Sequence, residues 1–277
     1  MSRDSRVTLA RGDLAARALE GVVAADAYAD SQVQVAIVPA VAIRRTPDLT
    51  GEQLDQLLFG EIFEVLGEQD GFAWGQSRRD GYVGFVERAA LAPAGALPTH
   101  RVAAIRTYAF AEPSIKTRAF GPYSINALVR IEARDGRFAK AAGTGWFVED
   151  HLAPIGRFEV DPVTVAERFL GAPYLWGGRE SLGLDCSGLT QQALAACGIA
   201  YPRDTDQQER LGQPLVAADL RRGDLVFWKG HVAMMLDAER IIHANAHHMA
   251  TAIEPLSQTR ARYIAAGVGE PTAYRRP

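Results

Sequence analysis

The spacing of apolar positions changes character twice along the 277 residues. Between residues 8 and 29, Leu9, Leu14, Ala15, Ala18, Leu19, Val22 and Val23 recur at helical intervals. This predicts one or two short helices in an N-terminal segment covering 1–32. From about residue 33 the period drops to two. Val33-Gln34-Val35-Ala36-Ile37, Gly60 to Leu66 and Tyr82 to Val86 read as strands, with Pro39 and Asp70-Gly71 as turn signals. Ile43-Arg44 returns as Ile105-Arg106, and Phe85-Val86-Glu87 as Phe147-Val148-Glu149, both 62 positions on; Asp70-Gly71 is echoed by Asp135-Gly136. The common offset predicts two small β-barrels, 33–96 and 97–158, the second more divergent.

A mixed pattern follows over 159–277. Val163 to Leu170 reads as a helix, and Pro173-Tyr174-Leu175-Trp176-Gly177-Gly178 as a β-like approach to a glycine pair. Leu189, Ala193, Leu194 and Cys197 then recur at helical spacing, with Gly198 as the stop. Asp185 is a good N-cap, so Cys186 falls in the first turn of that helix. Strands follow at Leu225-Val226-Phe227-Trp228, 231–236 and 240–245. The predicted fold is multidomain: two small all-β barrels, then an α+β domain that sets a thiol-bearing helix against a sheet.

Unpaired N–H groups and the dipole at a helix N-terminus favour a thiolate. The dipole is worth about 0.3–2 kcal/mol, or roughly one pKa unit, too little to ionise a thiol of pKa ~8.5 at neutral pH. A histidine partner is required. His231 opens one apolar run and His243 closes the next, with Asp237-Ala238-Glu239 between them. If 235 pairs with 239, 231 lies directly opposite 243, with Cβ atoms ~4.5–5.5 Å apart on one face. That register predicts Cys186 as nucleophile, His231 as base and His243 as its orienter. A one-residue slip would destroy the alignment. His247-His248 could orient the base instead, but reads better as a solvated loop. A Cys186/His231/His243 zinc site has no supporting Cys-x-x-Cys or His-Glu-x-x-His spacing, so neither metal nor cofactor is expected. Cys197 lies eleven residues along the same helix, about 16 Å away, too far for a disulfide with Cys186, and reads as a small core residue.

Tyr174-x-Trp176-Gly177-Gly178, Asp185-Cys186-Ser187-Gly188-Leu189, Gly223-Asp224-Leu225, Gly230-His231-Val232 and Ile242-His243-Ala244 stand in the order of the NlpC/P60 cysteine peptidases, which residues 160–277 resemble. Ala233 departs from the glycine often found there. The two β segments resemble the bacterial SH3 domains that often precede such domains, so the expected architecture is two SH3-like barrels before a papain-like catalytic domain. With Pro202-Arg203-Asp204-Thr205-Asp206-Gln207-Gln208, the chain looks like the recycling γ-D-glutamyl-L-diamino acid endopeptidases.

That resemblance implies a Cys-His-His triad that cleaves γ-D-glutamyl–diaminopimelate bonds in short murein peptides with a free N-terminal L-Ala. It implies that the Tyr174 hydroxyl and the Cys186 N–H stabilise the oxyanion. It assigns the substrate amine to Asp185, Ser187 and Thr205, with Tyr82 closing the pocket and Glu52, or else Glu61, adding a carboxylate. The rival readings are a muramoyl-alanine amidase or acyltransferase on the same scaffold, and a non-catalytic wall-binding protein.

Composition narrows the partners. Hydrophobic residues make up 48% and charged residues 23%, as in ordinary globular proteins. A net charge of −3 gives no electrostatic case for nucleic acid or an anionic membrane. No apolar run reaches the ~18–20 residues needed to span a bilayer. Two cysteines and an N-terminus without a continuous apolar signal lead to the expectation of a cytoplasmic protein.

Overall fold

Val41 and Ile43 are buried in the Ala40–Arg44 strand, while Ala40, Ala42 and Arg44 are partly exposed, the alternation that a one-sided sheet demands. This strand belongs to the first of two units, divided between Ile155 and Gly156, in a computed structural model that describes residues 3–277. Among the described residues, a seven-stranded sheet runs in the order Gln53–Leu58, Ala40–Arg44, Val83–Glu87, Phe72–Ser77, Ile62–Gln69, Gln32–Ala36 and Leu91–Pro93. Its core holds Val41, Ile43, Leu57, Phe63, Val65 and Val86. Asp70 (φ 51°) and Gly71 (φ 82°) make the two-residue turn between Ile62–Gln69 and Phe72–Ser77.

The 62-residue echo has a structural counterpart. Val83–Glu87 runs through a 3-10 turn (Arg88–Ala90) into Leu91–Pro93. Trp146–Val148 likewise runs through Glu149–His151 into Leu152–Pro154. The later strands form a five-stranded and a three-stranded sheet. Leu58 and Phe59 from the first β assembly share one apolar cluster with Val102, Ala109, Tyr123 and Phe147 from the second. Gly60 (φ +80°) sits at this junction, where an added Cβ would lie 2.1 Å from the Leu128 carbonyl oxygen. The two β assemblies are therefore packed together within one unit.

Residues 8–29 correct the helical expectation. Leu14–Ala16 pairs in parallel with Ala27–Ala29, and Arg17–Leu19 makes one 3-10 turn. Leu9 is buried with Leu66, Phe72, Trp74 and Phe85, and Leu14, Ala16 and Ala29 pack against them. The Arg11 guanidinium lies 4.3 Å over the Trp74 ring. Burial against an existing sheet overrides the weak helical preference of this alanine-rich stretch, which Gly12 and Gly21 interrupt.

In the second unit, helix Pro162–Glu167 begins at Asp161, whose carboxylate accepts from the Val163 and Thr164 amides. The helix expected to reach Leu170 ends at Glu167. Cys186–Ala196 forms a helix in which all residues but Ala195 are buried. It stops at Cys197, with Gly198 at φ +80° beyond. Antiparallel strands run in the order Gln213–Pro214, Ala273–Arg276, Leu225–Trp228, His231–Met235, Arg240–Asn245 and Ala250–Pro255. The Cys186 helix lies against the His231 and His243 strands. Helix Leu256–Ala265 places Leu256 and Tyr263 on Val226, Trp228, Ala233, Met235 and Ile241. No helix among the described residues is long and apolar enough to cross a membrane.

Candidate active site

The loop before Cys186 is built on close backbone approach. The Asp185 carboxylate caps the helix by accepting from the Gly188 N–H at 2.8 Å, and also accepts from the Gly177 N–H at 2.9 Å. A Cβ on Gly188 would lie 2.3 Å from the Gly178 carbonyl oxygen, and one on Gly178 would lie 2.6 Å from that of Gly183. The glycines flanking the motif are thus required by contact between the helix's first turn and the preceding loop.

Cys186 is buried at that helix start, with Thr205 Oγ1 4.0 Å from its sulfur. Burial first, and then the Asp185 carboxylate, pushes the thiol up to about 11. A hydrogen bond from the backbone of Val232, the neighbour of His231, pulls the other way.

His231 Nε2 lies 2.8 Å from His243 Nδ1, and both rings are buried. The register that brings them together differs from the expected one. Met235 pairs with Ile241 and Met234 with Ile242, two positions beyond the anticipated partners. Asp237 accounts for the shift. Its carboxylate accepts from the Glu239 and Arg240 amides at 2.9 and 2.8 Å, closing a three-residue loop. A shift of two preserves the face, so the histidines meet diagonally instead of directly. Burial first, then the charges of His243 and Arg262, holds His231 well below its ordinary value; burial also lowers His243, against the opposing pull of Glu254.

The geometry adds residues that sequence reasoning passed over. His243 Nε2 lies 2.8 Å from Glu254 Oε1, one diagonal step further across the sheet. Arg262 engages both Glu254 oxygens, with 3.0 Å to Oε2. Burial would raise Glu254, but hydrogen bonds from His243, Arg262 and Thr259 hold it well below the carboxylate range. Trp228 pairs directly with His231 across a two-residue turn, and the Tyr263 ring lies 5.5 Å from the imidazole and 5.2 Å from the indole. The period-two position of Glu254 in Ala250–Pro255 was the only local signal for its role.

The expected amine-binding residues have mixed surroundings. Arg203 is 1% exposed and donates to Asp185 Oδ1 at 2.9 Å and Oδ2 at 2.7 Å. It also donates to Ser187 Oγ at 2.9 Å, and Ser187 in turn donates to Asp185 at 3.2 Å. Asp185 is thus neutralised within the protein. Within the first unit, Tyr82 is buried, Glu52 pairs with Arg45 at 2.7 Å, and Glu61 pairs with Arg79 at 3.0 Å. Tyr174 is pushed up by burial first, and then by the charges of Cys186 and Asp185. His247 and His248 are exposed in the turn after the His243 strand, as a solvated loop requires.

The Cys186/His231/His243 zinc reading fails on geometry, because the facing nitrogens of the two histidines are spent on each other. His243, His248 and Glu254 do bring ligand atoms within 4.8 Å of one another. The Arg262 guanidinium already occupies Glu254 there and opposes a second cation.

A buried thiol at a helix start, hydrogen-bonded by the backbone of the residue that follows a histidine itself paired with a second histidine, on an α+β scaffold, is the arrangement of a cysteine-type peptidase. Residues 171–267 match the NlpC/P60 family and residues 43–91 the bacterial dipeptidyl-peptidase Sh3 domain, so the chain carries an NlpC/P60 domain preceded by an SH3-like domain. Among its relatives, the gamma-D-glutamyl-L-lysine dipeptidyl-peptidase of Bacillus cereus is 36% identical over 105 residues, 35% of this chain and 32% of that protein. The enzyme of the same name from Bacillus subtilis is 28% identical over 227 residues, covering 74% of this chain and 76% of that protein. The match thus spans about a third of the first relative and three quarters of the second. A crystal structure of an NlpC/P60 family protein from Bacillus cereus superposes with a TM-score of 0.77 at 20% identity, over 88% of this chain and 99% of that one, a likeness of fold.

Proposed function

We propose that this peptidase hydrolyses the γ-D-glutamyl–L-diamino acid bond of short murein peptides with a free N-terminal L-Ala. Cys186 attacks the carbonyl and His231 takes the thiol proton and returns it to the leaving amine. His243 orients His231, and water releases the thioester. Tyr174 and the Cys186 N–H stabilise the oxyanion. The observation that carries this reading is the 2.8 Å His231–His243 bond beside a thiol held by the backbone of the next residue, Val232. The relatives are named gamma-D-glutamyl-L-lysine dipeptidyl-peptidases, which supports the bond type and leaves lysine and diaminopimelate both as candidates for the diamino acid.

Arg203 neutralises Asp185, so in this reading Asp185, Ser187 and Thr205 offer the substrate amine hydrogen-bond acceptors more than net charge. Recycling of wall fragments in the cytoplasm fits a small free peptide as substrate. The test is incubation of the full chain with L-Ala-γ-D-Glu-diaminopimelate, its lysine analogue and the N-acetylated forms, followed by mass analysis. Free diamino acid from the unblocked peptides alone is expected. Equal rates on blocked peptides would refute amine recognition, and cleavage at a muramoyl-alanine amide would favour the amidase.

A further inference from the structure

We propose that Glu254 and Arg262 fix the proton positions on both histidines, leaving the His231 Nδ1 lone pair as the base presented to the thiol. This rests on the reading of Cys186 and His231 as nucleophile and base. A carboxylate gripped by a guanidinium through both oxygens only accepts hydrogen bonds. The 2.8 Å contact from Glu254 Oε1 to His243 Nε2 therefore needs the proton on that nitrogen. A neutral imidazole carries one N–H, so His243 Nδ1 is bare and accepts. Its partner at 2.8 Å, His231 Nε2, must then donate, and His231 Nδ1 is left unprotonated.

The alternative fails. If His243 carried both protons, its Nδ1 would donate, His231 Nε2 would have to accept, and the His231 proton would move to Nδ1, removing the base. Burial of His243 opposes that state. The charged and titratable groups acting on the two rings are Glu254 and Arg262, with His248 acting on His243; the Tyr263 ring lies 5.5 Å from His231, and Cys186 acts on Tyr263. When Cys186 gives its proton to His231 Nδ1, the imidazolium formed donates from Nε2 to His243. His243 still donates to Glu254, and no further proton has to move. Glu254 and Arg262 are thus positioning residues, acting through His243.

The experiment reads the tautomer directly. In imidazole ¹⁵N NMR of the full chain near pH 8, His231 and His243 are each expected to show a pyrrole-type Nε2 and a pyridine-type Nδ1. A proton on His231 Nδ1 would overturn the proposal. Glu254→Gln, which can donate as well as accept, is expected to mix the His231 tautomers and lower kcat about 10- to 100-fold with KM little changed. A Glu254→Gln protein with wild-type tautomers and kcat would also overturn it. If that variant does not fold, the wild-type spectrum decides alone. The spectrum needs no substrate, so turnover of none of the proposed peptides would count against the substrate reading while leaving this one standing.

Discussion

Arg203 grips Asp185 through both carboxylate oxygens, at 2.9 and 2.7 Å, with both side chains buried and Asp185 capping the helix that begins at Cys186. The pair therefore stabilises the loop and fixes the direction in which the thiol leaves it. Arg203→Met removes one partner and strands a buried carboxylate, a change that typically costs about 3–5 kcal/mol. Urea unfolding monitored on the catalytic unit should show that loss. A change below about 1 kcal/mol would mean that Asp185 is satisfied without the guanidinium.

Gly188 is constrained by contact. Gly188→Ala places a methyl 2.3 Å from the backbone oxygen of Gly178, which has no flexible end to yield. A destabilisation of about 1–3 kcal/mol is expected, with the helix start displaced. Because that displacement moves Cys186, thiol alkylation and peptide turnover should both fall. Wild-type stability in this variant would remove the argument that the glycine is required sterically.

The buried groups also set the pH range of stability. His231 and His243 titrate below their ordinary 6.5 when folded, so as pH falls through 6.5 the unfolded chain takes up protons that the native site refuses. Glu254 acts in the same direction, since its native pKa lies below the ordinary 4.5, and stability present above that value is lost as pH falls. Cys186 acts at the other end. With the folded thiol at about 11 against an ordinary 9.0, the unfolded chain sheds its proton first and stability drops between those values. Thermal melts of wild type and Cys186→Ala should share the acid limb, while the variant should lose less stability between pH 9 and 11. Parallel alkaline limbs would show that the thiol is not desolvated as described.

Much of the catalytic unit could be read from the chain because its signals are local. The Asp185–Leu189 motif and the alternating runs around His231 and His243 each carry their own periodicity. The first unit was legible as short strands for the same reason. Residues 8–29 misled because alanine and leucine at helical intervals say nothing about the sheet that Leu9 and Leu14 would find. The hairpin register was two positions off because an Asp237 turn was not anticipated, and the histidines still met because sheet faces repeat every two residues. Arg203, Glu254 and Arg262 act through partners 8 to 18 positions away, and an acid or a guanidinium looks the same in sequence whether solvated or enclosed.

The helix Leu256–Ala265 sends Arg262 to Glu254 and Tyr263 to His231, and the strand Ala273–Arg276 lies beside Leu225–Trp228. Synthesis thus delivers the sulfur of Cys186 before His231, His243, Glu254 and Arg262, the last of them 76 residues on (262 − 186). On the proposed reading, a nascent chain, or one clipped ahead of that helix, is expected to carry an idle cysteine until the tail has docked.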